Sequence, residues 1–254
     1  MTLQAADTCS APYRVRFDEC GPDGLVRTSV LLRYSQDLAG YHSAVRGFGR
    51  DWFAEHGITW LVRAAEVAVV GPIPLNAELV GTTQAIGSRR VWARRRTEFR
   101  DAVGTLLSWV HIDWVLIDGR GAPTRIPAVF DSVFGAPPAS FGLARVTLED
   151  APPEASRTRL TVRPQELDPM DHVNNAVYAD WLDEAVLGAG SAVAVRAVPR
   201  LARLEYARAA APGASVDAAV WPDGDAWSCR LGDDDGDLLR ARLEPLDSTV
   251  AAAP

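Results

Sequence analysis

The sequence predicts an α+β protein built twice over, each half an antiparallel sheet wrapped around one long helix. Three observations carry this. In each half, one amphipathic helix pattern is followed by four alternating, β-rich stretches. The halves also resemble each other without a gap. Val15 to Ala39 set against Val162 to Val186 shares six of 25 residues, where ordinary residue frequencies give roughly two. Between the halves, Pro137–Pro138 and Pro152–Pro153 stand among small residues, a poor element interior and a good linker.

A short strand and a turn open the first half. Thr28 is placed to cap a helix with the apolar positions Val30, Leu31, Tyr34, Leu38, Tyr41 and Val45, ending near Gly47. Strands follow at 60–70, 77–87, 90–100 and 105–118, with a hairpin turn at "DAVG". In the second half Asn175 occupies the place of Thr28 and can cap likewise. Val177, Tyr178, Trp181, Leu182, Ala185 and Ala189 then form one helical face. Its strands fall at 200–208, 214–221, 226–231 and 237–246, with a turn at "GDDDG". The expected division is a first unit over 12–130, a linker over 131–158 and a second unit over 159–246. Residues 247–254 read as a frayed tail.

Composition excludes several classes of function. At 254 residues and 48% apolar, the chain can bury one large or two modest cores. A net charge of −7 disfavours nucleic acid as a general partner, because neutralising phosphates needs excess cation. All 26 basic residues are Arg, which removes Schiff-base and phosphate-loop Lys chemistry. Cys9, Cys20 and Cys229 are too few and too scattered for a disulfide framework or a zinc site. There is no secretory signal pattern and no apolar run of membrane-spanning length, so a cytoplasmic protein without a membrane partner is expected.

The stretch "LDPMDHVNNAVYADWLDEA", Leu167 to Ala185, concentrates polar chemistry just before a helix. It resembles the D-x-N-x-H-V-N-N-x-x-Y signature of the acyl-ACP thioesterases, which are tandem hotdog proteins. The likeness runs in order from about Tyr13 to Leu246. It implies a double hotdog fold, hydrolysis of an acyl-ACP or acyl-CoA thioester, and no cofactor. The family's catalytic Asp falls on Asp168 and its His on His172, while its Asn falls on Met170, which cannot hydrogen-bond a carbonyl. The downstream Glu-Cys pair of plant members falls near Ala209 and Ala210. The chemistry implied is therefore centred on Asp168.

The residues themselves fit that chemistry. Thioester hydrolysis needs a nucleophile or a base for water, and donors for the carbonyl oxygen. Asp168, seven residues before Asn175, can fold back to the helix mouth. The N–H groups of Val173, Asn174 and Asn175 are the candidate oxyanion donors. His172 can orient Asp168 or water, or protonate the thiolate, and no metal is required. In the first half Gly21 stands opposite Asp168 and Leu25 opposite His172. One site per chain is therefore expected, with the first half lining the acyl pocket. The bland reading is a turn that starts a helix, but a cap alone needs only Thr28 or Asn175. Two further functions are compatible with the motif: a hotdog dehydratase, isomerase or cyclase on a carrier-bound chain, and a non-catalytic acyl-binding protein.

Arg89, Arg90, Arg94, Arg95 and Arg96 crowd one strand and are candidate contacts for an acidic carrier protein or for CoA phosphates. A solvated outer strand is the simpler reading. His111 and Asp113 share a strand face and are expected to form a structural hydrogen-bonded pair. Two such chains can pair again into a homodimer.

Overall fold

The computed structural model describes residues 7–135 and 137–246. β1 (Thr8–Arg14) leads through a single 3-10 turn (Phe17–Glu19) into α1 (Thr28–Val45) and α2 (Arg50–Glu55). β2 (Ile58–Val69), β3 (Glu78–Arg89), β4 (Trp92–Arg100) and β5 (Leu106–Asp118) follow, and α3 (Ala128–Phe134) closes the first half. The second half repeats the plan with β6 (Ser156–Thr161), a 3-10 turn (Pro164–Glu166), α4 (Val177–Gly188) and α5 (Ala192–Arg196). It ends with β7 (Arg200–Tyr206), β8 (Ser215–Asp223), β9 (Ala226–Asp233) and β10 (Gly236–Pro245).

All ten strands join one sheet, ordered β1-β3-β4-β5-β2-β7-β10-β9-β8-β6. The first five positions map onto the last five in reverse, strand for strand. The halves meet where residues 64–69 of β2 pair antiparallel with 205–200 of β7. One continuous core holds the inner faces of both halves together, with Leu31 and Leu32 of α1 and Trp181 and Leu182 of α4 fully buried in it. The two long helices are the ones whose 3.6-residue apolar pattern was strongest, and they fill the concave side of the sheet.

The 147-residue offset read from the sequence is repeated bond by bond. The Arg16 N–H donates to the Glu19 carboxylate and the Arg163 N–H to that of Glu166, both at 2.7 Å. Gly21 N–H donates to Leu25 O and Asp168 N–H to His172 O, both at 2.8 Å. Gly24, at φ 75°, and Asp171, at φ 59°, take the left-handed position of the same turn. Glycine has no steric penalty there and Asp tolerates it better than most residues.

Some expectations are corrected. Neither Thr28 nor Asn175 caps its helix. Thr28 is the first residue of α1, and its hydroxyl accepts a hydrogen bond from Arg200 Nη2 at 3.2 Å. Asn174, not Asn175, supplies the side-chain bond at the start of the second helix, its Oδ1 accepting from Ala176 N–H at 2.9 Å. β1 starts before residue 12, and α3 runs past residue 130 into the stretch read as linker. The short helices α2, α3 and α5 carry too few turns to show a period and went unread. The expected tail, 247–254, lies outside the described residues.

The linker is pinned to the outer face of the sheet rather than loose. Ala144 N–H donates to Asp113 at 2.7 Å and Val146 N–H to Glu205 at 2.9 Å. Phe141 lies under the Arg94 guanidinium at 4.5 Å. Gly87 lets it approach: a Cβ there would stand 2.8 Å from the Phe141 ring. His111 and Asp113 do share this face but are not bonded to each other. His111 engages Glu66 and Arg96, both at 3.3 Å, while Asp113 takes Arg94.

Among the described residues no helix is long and apolar enough to cross a membrane. No group of three or more His, Cys, Asp or Glu is placed there to hold a metal ion. The three cysteines are free.

Candidate active site

The turn before α4 is built by its own hydrogen bonds. Asp168 Oδ1 accepts from Met170 N–H at 2.8 Å and from His172 N–H at 3.4 Å, an Asx-type turn that fixes the carboxylate. Its Oδ2 has no partner among the described residues. Asp168, Pro169, Met170 and Asn174 border a cleft of about 980 Å³. Every other lining residue comes from the first half. α1 supplies one wall through Gln36 to Ala44, and Trp60, Trp114, Phe130 and Phe134 supply the aromatic part. Asp168, with one carboxylate oxygen unbonded, thus stands at the edge of a largely apolar cleft.

α1 is tied to the mouth by Asn175 Nδ2, which donates to Gln36 Oε1 at 3.2 Å, while Tyr206 OH holds Asn175 O at 2.9 Å. Arg50, exposed at the start of α2, reaches Pro169 O at 3.4 Å. Gln36 and Arg50 carried no signal in the sequence, because neither sits in a motif and only the fold brings them here.

The remaining candidates divide. The Asn174 N–H donates to Glu166 O at 2.9 Å, so it is already spent and cannot be an oxyanion donor as expected. Val173 is buried in the core. Among the described residues the Asn175 N–H has no acceptor. The Asn174 side chain is a donor that sequence reading missed: Asn174 borders the cleft, and with Oδ1 fixed on Ala176 its Nδ2 makes no hydrogen bond among the described residues. The His172 ring is exposed and makes no hydrogen bond among the described residues, and it is the His172 main chain that bonds Asp168. Met170 is half-exposed at the mouth, and Ala210 is a buried structural position whose N–H donates to Tyr178 OH at 2.8 Å.

The five arginines are not one surface patch, because β4 alternates faces. Arg89 and Arg90 are exposed at the β3–β4 turn. Arg94 and Arg96 point to the outer face, on Asp113 and Glu98. Arg95 points inward to the cleft, where burial pulls its guanidinium down to about 10. Of the five, Arg89 and Arg90 are the two that are exposed.

Gly40 lies within α1 on the cleft wall, and a Cβ there meets nothing within 4 Å. Gly40→Ala is expected to raise stability by about 1 kcal/mol through helix propensity. It also narrows the cleft, and a cleft that held an acyl chain would then turn over the longest chains less well relative to short ones. Thermal unfolding and a chain-length profile check both halves of this expectation.

The mirrored positions in the other half carry a different set of polar groups. Position 183 mirrors Gln36, and there Asp183 faces the buried Arg200, which donates to Thr28, the mirror of Asn175. Burial raises the Asp183 carboxyl to about 7, with Arg200 opposing. The folded state then holds a proton that the unfolded state has released above its ordinary carboxylate range. Stability contributed by this group is present at low pH and is lost as pH rises toward 7. Asp183→Asn should leave the melting temperature unchanged near pH 4 and raise it at pH 8, which a pH series of melts will show.

Residues 7–133 match the acyl-ACP thioesterase N-terminal domain and residues 149–232 its C-terminal domain. No curated protein matches the chain by sequence. Among solved structures, a Lactobacillus plantarum protein assigned as an oleoyl thioesterase is 20% identical with a TM-score of 0.83, covering 97% of this chain and 99% of its own. An acyl-ACP thioesterase from Bacteroides thetaiotaomicron is 14% identical with a TM-score of 0.79, covering 93% and 97%. The 12:0-ACP thioesterase from Umbellularia californica is 22% identical with a TM-score of 0.78, covering 93% and 96%. The fold is thus the double hotdog, and the chain belongs to the acyl-ACP thioesterase family, hydrolases that release an acyl chain from its thioester.

Proposed function

We propose that Asp168 is the catalytic carboxylate of this hydrolase and that the acyl chain lies in the first-half cleft. The observation that carries this is the unpartnered Asp168 Oδ2 at the cleft mouth, with Oδ1 held by two main-chain donors. That oxygen attacks the thioester carbon or takes a proton from an attacking water. Attack by Asp168 expels the thiolate and leaves a mixed anhydride, which water then opens. A single turnover in H₂¹⁸O that gives an unlabelled acid and puts ¹⁸O on Asp168 identifies this route with opening at the Asp168 carbonyl, and trapping of the anhydride by hydroxylamine identifies it whichever carbonyl water attacks.

The developing oxyanion is assigned to Asn174 Nδ2 and the Asn175 N–H at the foot of α4, where the helix dipole also favours negative charge. Asn174→Asp keeps the acceptor for Ala176 N–H and removes the donor. It is expected to lower kcat by about 10²- to 10³-fold with little change in the melting temperature. Steady-state kinetics beside thermal melts check it, and an unchanged kcat sinks the assignment.

His172, two residues before Asn174 and with its ring exposed, is the proposed proton donor to the departing thiolate. Arg50 is placed to meet the phosphate of a phosphopantetheine arm, a group that carrier protein and CoA share. Delivery by acyl carrier protein is the preferred reading, supported by the family and by the exposed Arg89 and Arg90 available to an acidic partner.

A further inference from the structure

Inward positions of β4 run Ala93, Arg95, Thr97 and Phe99, and an arginine among them is out of place in a hydrophobic cleft. Its surroundings do not neutralise it. Arg95 lies over the Phe134 ring at 5.1 Å and has no carboxylate in ion-pair range among the described residues. Its polar contact is Nη1 to His42 Nδ1 at 3.0 Å. An arginine only donates, so Nδ1 accepts and the ring proton sits on Nε2, which donates to Asp7 Oδ2 at 2.9 Å. Burial and the neighbouring arginines oppose charging of His42. Asp7 is already claimed by Arg46, with Nε at 2.6 Å from the same oxygen. The cluster of Asp7, neutral His42, Arg46 and Arg95 therefore carries one positive charge in excess, and Arg95 is its member on the cleft wall.

An unpaired cation in such a place is costly unless something that enters the cleft meets it. We infer that the acyl chain accepted here carries an oxygen function, a keto, hydroxyl or carboxylate group, that Arg95 binds. This rests on the reading that the first-half cleft holds the acyl chain. The position follows from α1: Gln36 contacts the mouth through Asn175, and His42, six residues on, contacts Arg95. At the helical rise this separates Arg95 from the mouth by about 9 Å along the axis. The oxygen it reads then lies several carbons from the thioester, clear of the reacting atoms. Arg95 is accordingly a specificity-determining residue.

The test uses medium-chain acyl pantetheine thioesters that are unsubstituted or carry a mid-chain keto group, a mid-chain hydroxyl or a terminal carboxylate. Thiol release is measured for each, and calorimetric binding for the matching free acids. The wild type is expected to favour at least one oxygenated chain by about tenfold or more in kcat/KM and in affinity, since a polar site penalises the analogue that leaves it unsatisfied. Arg95→Met removes that preference, read within each variant as the ratio of oxygenated to unsubstituted chain, and Arg95→Lys retains part of it. A terminal carboxylate preferred over the neutral groups identifies an anionic chain end, and the reverse identifies a keto or hydroxy chain. Should Arg95→Met fail to fold, Arg95→Gln takes its place. The inference is overturned if the wild type prefers the unsubstituted chain, or if an oxygen preference survives loss of Arg95. If no thioester is hydrolysed, hydrolysis is what has failed, and the binding arm still decides the role of Arg95.

Discussion

Asp168→Asn is expected to lower kcat/KM for acyl thioesters by about 10³-fold, within the range for loss of a general base or nucleophile. The substitution is clean because Asn keeps the Oδ1 acceptor for Met170 N–H and so keeps the turn. Asp168→Ala loses the turn as well and should be both inactive and slightly less stable. His172→Ala is expected to cost no more than about 10²-fold, the low end for acid catalysis. A thiol ionises near pH 8.5, so its anion leaves with little help. Thiol-release kinetics on the three variants, with circular dichroism to verify folding, read this ordering. A His172 variant as dead as Asp168→Asn would mean that the ring turns in to the carboxylate when substrate binds.

The largest effect on stability is expected at Asp113. Its carboxylate is 1% exposed and accepts two bonds from Arg94, at 2.5 and 2.7 Å, and one from the linker at Ala144 N–H. Asp113→Ala leaves the Arg94 cation without its partner against Phe141 and orphans the Ala144 N–H. Breaking a buried pair from one side costs about 3–5 kcal/mol. For a chain of this length that lowers the melting temperature by roughly 10 °C. The surface pair of Arg159 and Asp217 supplies the contrast, because both side chains are more than half exposed. Asp217→Ala should leave the melt unchanged. Equal effects at the two sites would deny that the linker is fastened through Asp113.

Much of this architecture was legible in the chain because its signals are local and repeated. The offset from Val15 to Val162 survives in the sheet order and in matching turn hydrogen bonds, since both turns are set by the same few main-chain contacts. Strands such as β3 alternate cleanly, so their extents were readable to within a few residues. The helix starts were readable to within a residue but their capping was not, because main-chain bonds and the Asn174 side chain at 174–177 do the work expected of Thr28 and Asn175. Asp168 was legible from its motif. Gln36, Arg50 and the Arg95–His42–Asp7 chain were not, because each depends on segments brought together only by the folded sheet and helices. The phase of β4 held a clue: Phe99 must face inward, and so must Arg95, four residues earlier. The flanking arginines masked it by making the run look like one charged surface.

The central claim is that a single mouth, at Asp168, receives a thioester whose chain lies in the first-half cleft. The most direct measurement is a crystal structure of Asp168→Asn with a non-hydrolysable acyl pantetheine analogue. The account requires the carbonyl beside residue 168 and the Asn174 side chain, with the chain running along α1 toward Arg95. A chain seated instead in the second half, against Asp183 and Arg200, would contradict it.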